Sequence, residues 1–206
     1  MAIKIEKTDV YGWEASIRGM RNAFNSWDKS DSDRRFVMEY HVGENDHNLM
    51  MRLAKGGATH AKYRRMIVVT CDITAPLYWW KEFDTYKIGT VANSCSTMHK
   101  IHAKEFTLDD FSHEHLMNME RDLLCDIIDV LNEDRQLFVE TNNKVYWQQM
   151  IQLLPTSYNQ KRTVMLNYEV LVGMYRDRKN HKLEEWHDLC DWIRALPYSE
   201  IIIGEE

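Results

Sequence analysis

The chain has 206 residues, a length that suits one domain with a substantial core. Hydrophobic residues make up 44% and charged residues 28%, as in soluble globular proteins, and no apolar run approaches the roughly 20 residues of a membrane span. The net charge of −6 argues against a binder of nucleic acid polymers, although it permits a local basic pocket for one nucleotide. The N-terminus lacks the basic start and apolar run of a signal peptide, so a cytoplasmic location is expected by default.

The cysteines and histidines form no recognisable metal-binding motif. No C-x-x-C pair occurs, and the closest histidine groupings lack a convincing third ligand, so we expect no metal site. We interpret the cysteines as reduced thiols, most of them in the core: Cys71, Cys95, Cys125 and Cys190.

The first third of the chain alternates between predicted strands and helices. Residues 2–10 alternate loosely and predict a strand, residues 28–35 a polar loop, and residues 36–42 a short strand. Helices are predicted over residues 13–27 and over 45–55, the second closed by two glycines. Helical spacing in the first predicts five core residues: Trp13, Ile17, Met20, Phe24 and Trp27.

A basic cluster follows the glycines, in the sequence GGATHAKYRRM, which contains His60 and Lys62. Basic side chains beside a glycine-rich turn suit a phosphate group, while a solvated loop with one or two ion pairs is the alternative. Residues 65–74 are rich in β-branched residues and predict a buried strand that Ala75-Pro76 ends.

The stretch from residue 75 to residue 100 is the candidate site. An aromatic helix over residues 77–83 leads into a segment dense in hydroxyls, amides and charges, which is typical of a ligand-facing surface. Cys95, with His99 four residues on, is either a Cys–His nucleophile or a small buried thiol. Further on, helical spacing predicts helices over residues 117–131, 133–154 and 182–196, and residues 198–203 predict an edge strand.

This layout resembles the flavin-dependent thymidylate synthases, which have a strand, Ala-Pro, an aromatic helix, Arg-His-Arg, and then a Ser. Here Thr85-Tyr86-Lys87 occupies the Arg-His-Arg position, Ser96 follows after eight residues, and Glu82 stands where the family has a Gln. The family's Leu-Pro, its Asn, and an Arg eleven residues later are matched by Leu154-Pro155, Asn167 and Arg178.

The resemblance implies an α+β fold, a mixed or antiparallel sheet flanked by helices, as a single domain over residues 1–206. It further implies a homotetramer whose sites form between subunits. The activity implied is methylation of C5 of a pyrimidine deoxynucleotide, dUMP or a related nucleotide, in nucleotide biosynthesis. FAD is the implied cofactor, with methylenetetrahydrofolate and NADPH as co-substrates.

The resemblance also implies roles for individual residues. Catalytic roles fall to Lys87, Ser96 and Arg178. The residues expected to bind FAD are His60, Lys62, Thr85, Tyr86, Lys87, Asn93 and Asn167. The residues expected to bind the nucleotide are Glu82, Ser94, Ser96 and Arg178. Trp79, Trp80 and Tyr86 are candidate stacking surfaces for the flavin ring.

Two alternatives stay open. Loss of the two arginines and the histidine of the main motif suits a catalytically degenerate protein of this fold that binds a nucleotide or a protein partner. The other alternative is an unrelated helical interaction protein in which Trp79 and Trp80 are core residues.

Overall fold

The computed structural model describes residues 3–36 and 39–204. These residues form two compact units. The first comprises residues 3–4, 73–85 and 93–163, and the second comprises residues 5–36, 39–72, 86–92 and 164–204. Whether the whole chain acts as the predicted single domain stays a prediction.

Helices and a central sheet confirm the predicted α+β fold class. The strands are β1 (Lys4–Tyr11), β2 (Asp33–Phe36), β3 (Glu39–His41), β4 (Val68–Pro76), β5 (Val91–Ser94) and β6 (Asn159–Asn167). Four of them form a sheet in the order β1-β4-β6-β5, while β2 and β3 pair antiparallel with Asp33 opposite His41. The β-branched residues of β4 explain its place inside this sheet, because they pack well on a pleated, buried surface.

The helices are α1 (Trp13–Arg21), α2 (Glu44–Lys55), α3 (Leu77–Phe83), α4 (Thr97–Lys100), α5 (Asn118–Thr141), α6 (Lys144–Leu153), α7 (Tyr168–Arg178), α8 (Glu184–Arg194) and α9 (Glu200–Ile203). Short 3₁₀ helices cover Asn22–Phe24, Trp27–Lys29, Ala61–Met66 and Leu108–Asp110. In the described residues, no helix is both long and apolar enough to cross a membrane.

The first unit has its core between α5 and α6. Leu124, Ile128 and Leu131 of α5 pack with Met150 of α6. The chain was predicted to divide into helices after residue 131, but α5 continues to Thr141. It ends there because Asn142 adopts a left-handed backbone conformation, with φ of 53°.

Three predictions about the second unit are wrong. Phe24 and Trp27 are exposed because α1 ends at Arg21, so the helical spacing that placed them in the core is interrupted. Part of the predicted loop of residues 28–35 forms β2. The predicted edge strand of residues 198–203 contains α9 instead. Val37 and Met38, in the predicted strand of residues 36–42, lie outside the described residues.

The cysteines divide between core and surface. Cys71 and Cys190 are buried, and burial raises their pKa to about 12 and about 11, as expected of inert core thiols. Cys95 and Cys125 are exposed, so the prediction that most cysteines are core holds for only half of them. Among the described residues, no three His, Cys, Asp or Glu side chains are grouped so that they would hold a metal ion.

Candidate functional site

Helix α7 carries the two residues that the C-terminal motif singled out. Asn167 is the residue before its first turn, and the Asn167 side-chain oxygen accepts a hydrogen bond from the Val170 backbone N–H at 3.0 Å. Arg178 is its last residue. The eleven-residue spacing is therefore the length of this helix, and it separates the two residues by about 16 Å along the axis.

A short segment that begins with Tyr86 contacts α7 near both of its ends. Arg178 Nε donates to the Tyr86 hydroxyl at 2.9 Å. At the other end, Gly89 approaches Asn167 so closely that a Cβ on Gly89 would lie 2.7 Å from Asn167 Nδ2. Between these two contacts the segment turns, since Gly89 has φ of 78° and the Thr90 hydroxyl donates to the Tyr86 carbonyl. The structure thus brings Tyr86, Lys87, Asn167 and Arg178 together on one unit.

Arg178 is held between two aromatic rings. Its guanidinium carbon lies 4.3 Å from the centre of the Trp186 ring and 5.5 Å from the centre of the Tyr86 ring. Trp186 on α8 is fully buried, so this ring is a fixed platform. Stacking of this kind orients a guanidinium while leaving it positively charged. The sequence identified Trp186 only as part of a helical motif, and its contact with Arg178 depends on how α8 folds back.

His60 and Lys62 lie on the wall of a cavity of about 650 Å³ in the same unit. The charged residues that line the cavity are all basic: Arg21, Lys29, Arg52 and Lys62, with His60 beside them. Phe24, Leu49, Leu53 and Met66 supply apolar walls. Arg21 is already paired with Asp46, but no hydrogen bond or ion pair of the Lys29, Arg52 or Lys62 side chain occurs among the described residues. The cavity therefore suits an anionic ligand with an apolar or aromatic body.

The cavity wall is joined to α7. The Tyr168 N–H, in the first turn of α7, donates to the Ile67 carbonyl at 3.0 Å, and Arg64 lies 3.8 Å from the Glu169 carboxylate. The wall is also fixed on its other side, since the Tyr63 hydroxyl donates to the Met50 carbonyl at 2.9 Å. Burial raises the pKa of Tyr63 to about 12, so this hydroxyl stays protonated and structural at neutral pH.

The remaining predicted site residues belong to the first unit. The Thr85 N–H and the Thr85 hydroxyl donate to the Glu82 carbonyl at 3.1 and 2.7 Å, and these two bonds close the C-terminal end of α3. Asn93 and Ser94 lie on the exposed strand β5. Ser96 Oγ accepts from the His99 N–H at 3.1 Å and so caps α4.

Two predictions about the aromatic helix and its neighbour need correction. Trp79 and Trp80 are buried and pack edge to face at 4.9 Å between ring centres, so neither offers an open stacking surface. Arg162 covers the Trp80 ring at 4.2 Å. Cys95 is exposed, which makes the alternative of a small buried thiol wrong at this position.

A larger cavity of about 1180 Å³ contains none of the predicted site residues. It lies beside β1 and α1, and it includes Glu14, Arg18 and Arg34. These three side chains form ion pairs with one another, since Glu14 lies 3.8 Å from Arg18 and 3.4 Å from Arg34. The smaller basic cavity is therefore the better candidate for an anionic ligand.

Comparison with known proteins supports the fold through structure alone. No protein-family model and no curated protein sequence matches the chain. A crystal structure of thymidylate synthase X (ThyX) from Helicobacter pylori with FAD and dUMP superposes with a TM-score of 0.70, at 17% identity, over 98% of this chain and 97% of that one. Another structure of flavin-dependent ThyX from Helicobacter pylori, also complexed with FAD and dUMP, gives a TM-score of 0.69 at 18% identity, over 100% and 98% of the two chains.

Proposed function

We propose that this protein is a divergent flavin-dependent thymidylate synthase-like enzyme. It would methylate C5 of a pyrimidine deoxynucleotide, dUMP or a related nucleotide, with methylenetetrahydrofolate as the carbon donor and NADPH as the electron donor. The observation that carries the proposal is that the segment from Tyr86 to Gly89 contacts α7 at both Arg178 and Asn167. The segment carries Tyr86 of one motif that resembles the family, and α7 carries Asn167 and Arg178 of the other. The two contacts therefore bring these motifs together within one unit.

Arg178 is the proposed contact for the nucleotide phosphate. A guanidinium offers several N–H donors in a fixed plane, which matches the geometry of a phosphate group. Its Nε is engaged by the Tyr86 hydroxyl, and the Trp186 ring supports the guanidinium plane. Tyr86 is thus a positioning residue for Arg178, in addition to its proposed contact with FAD.

The basic cavity fits the diphosphate of FAD. His60, Lys62 and Arg52 would balance its negative charge, and the neighbouring apolar walls would accept an aromatic ring. When bound, FAD supplies the hydride that reduces the transferred carbon. Lys87 and Asn167 are the proposed FAD contacts beside α7.

Further roles are proposed for residues of the first unit. Glu82, Ser94 and Ser96 are proposed to contact the nucleotide, and Thr85 and Asn93 to contact FAD. Lys87 and Ser96 are proposed to polarise the pyrimidine carbonyls where negative charge develops in the reaction.

One observation favours the catalytically degenerate alternative. Thr85 stands at the position of the first Arg in the family's Arg-His-Arg motif. Its hydroxyl donates to the Glu82 carbonyl, so the side chain at this position closes the end of α3. A protein that kept the nucleotide site and lost turnover would bind FAD and dUMP without forming methylated product.

The test is a titration of the apoprotein with FAD, and then of the FAD complex with dUMP and other pyrimidine nucleotides. We expect dissociation constants between about 1 μM and 1 mM, with FAD at the tight end. Arg178→Ala should weaken nucleotide binding at least about tenfold through loss of a charge-assisted contact, while FAD binding stays unchanged. Formation of the methylated nucleotide from all components then separates an enzyme from a degenerate binder.

Arg194→Ala is the matched control. Arg194 Nε donates to the Tyr175 hydroxyl at 3.1 Å, and its guanidinium lies 5.2 Å from that ring, so the pair has the same chemistry but contains no residue proposed to contact either ligand. This variant should bind both ligands like the wild type. If the wild type binds neither FAD nor any pyrimidine nucleotide at about 1 mM, the proposal fails.

A further inference from the structure

Helix α5 carries an exposed apolar stripe opposite the face that it buries. The four residues of the stripe, with the exposed fraction of each, are Met119 (77%), Leu123 (60%), Val130 (46%) and Leu137 (38%). At 100° per residue they fall within an arc of about 40°, and they extend over about 27 Å of helix. Within the first unit, the core is contacted by a different face, which contains Leu124, Ile128 and Leu131.

Carboxylates border the stripe on both sides. On one side lies a row of exposed acidic residues: Asp122, Asp126, Asp129, Glu133 and Glu140. Glu120 and Asp134 follow the other side. Burial, together with the neighbouring charge of Glu133, raises the pKa of Asp134.

From this stripe and its acidic borders we propose that α5 is a docking surface for a basic amphipathic helix of another protein. Apolar residues of the partner would cover the stripe, and its Lys or Arg residues would meet the two acidic borders. A second α5 fits poorly, because either orientation of the helix pair would place acidic borders against each other. An apolar stripe bordered by negative charge favours a helical partner that carries positive charge.

The test measures binding of a synthetic helix of about 20 residues, long enough to follow the stripe, with Leu on one face and Lys elsewhere. We expect the full-length protein to bind this peptide with a micromolar dissociation constant that weakens as salt is added. The same peptide with Glu in place of Lys should bind at least about tenfold more weakly. Hydrogen exchange should show protection in α5 upon binding the Lys peptide.

Variants separate a docking surface from general attraction between opposite charges. The double substitution Leu123→Gln and Val130→Gln keeps every charge, and it should weaken binding at least about tenfold. Val139→Gln is the control, since Val139 is 59% exposed on the same helix but lies roughly half a turn from the stripe. Equal effects of the double variant and of Val139→Gln would overturn the proposal. So would absence of binding, or a fall in the molecular mass of the double variant, which would identify a second copy as the occupant.

Discussion

At the scale of single residues, Asp46 is the charge most completely removed from water. The residue is fully buried, yet each of its oxygens accepts a hydrogen bond. Arg21 Nε donates to one oxygen at 2.6 Å, and the hydroxyls of Ser30 and Ser32 donate to the other at 2.6 Å. Such bonds compensate the loss of water that would otherwise make a buried carboxylate very costly. The same hydrogen bonds connect the loop before β2 with helices α1 and α2.

This network predicts a stability effect. Burial alone would raise the pKa of Asp46, but the bonds from Ser30, Ser32 and Arg21 and the charge of Arg21 outweigh it and lower the pKa below the ordinary 3.8. Asp46→Asn should reduce the free energy of unfolding by about 3 kcal/mol, measured in urea, because Arg21 loses its counter-charge. Asp191→Asn, in an exposed pair with Arg194, should change it by less than about 0.5 kcal/mol.

The pH dependence of Asp46 has a definite sign. Its folded-state pKa is lowered, so the unfolded chain binds more protons, and the contribution is complete above the ordinary pKa of 3.8 and lost as pH falls through the folded value. The wild type should therefore lose more stability between neutral pH and pH values below 3.8 than Asp46→Asn does. An identical acid dependence in the two proteins would contradict this account.

At the scale of elements, the fit of the Tyr86–Gly89 segment against α7 depends on one glycine. Gly89 has φ of 78°, and a Cβ there would lie 2.7 Å from Asn167 Nδ2 and 3.0 Å from Val170 Cγ2. Gly89→Ala should therefore displace the segment, destabilise the protein by about 2 kcal/mol, and weaken FAD and nucleotide binding together. Urea unfolding and the ligand titrations measure both effects.

Gly57→Ala isolates the contribution of the clash. Gly57 has a similar φ of 83°, but no atom lies within 4 Å of its added Cβ. It should show only the conformational strain of about 1 kcal/mol, with both ligands bound normally. If the two variants behave alike, the close contact between Gly89 and Asn167 has no role in the site.

The elements that the sequence predicted well are those with a local signal. Helix α3 spans the predicted residues 77–83, because Pro76 favours a helix start there and the aromatic residues pack on one core.

Strand β6 and helix α7 were not predicted, since β6 mixes polar and apolar residues without clean alternation. The Asn167 cap was the available signal for α7. The apolar run in α9 is too short for its period to distinguish helix from strand.

At the scale of the whole molecule, the predicted site was more dispersed than its motifs suggested. Spacing alone paired Asn167 with Arg178, and the structure explains that spacing as one helix. The contacts of Arg178 with Tyr86 and Trp186 join segments far apart in sequence, so no local pattern indicates them. The all-basic lining of the cavity beside His60 likewise gathers residues from α1, α2 and the turn that follows α2.

The stretch from Tyr86 to Val91 also bears on assembly, since it exposes apolar side chains beside the proposed site. Ile88 is 91% exposed and Val91 53% exposed. We expect a homotetramer in which another copy covers this segment, because exposed apolar residues next to a ligand site are typical of subunit interfaces.

Light scattering should give the mass of four 24.6 kDa chains. Ile88→Asp should lower that mass and weaken FAD binding, whereas Val145→Asp, on the exposed face of α6, should do neither. A wild type that remains a 24.6 kDa monomer at micromolar concentration would rule out a site shared between subunits.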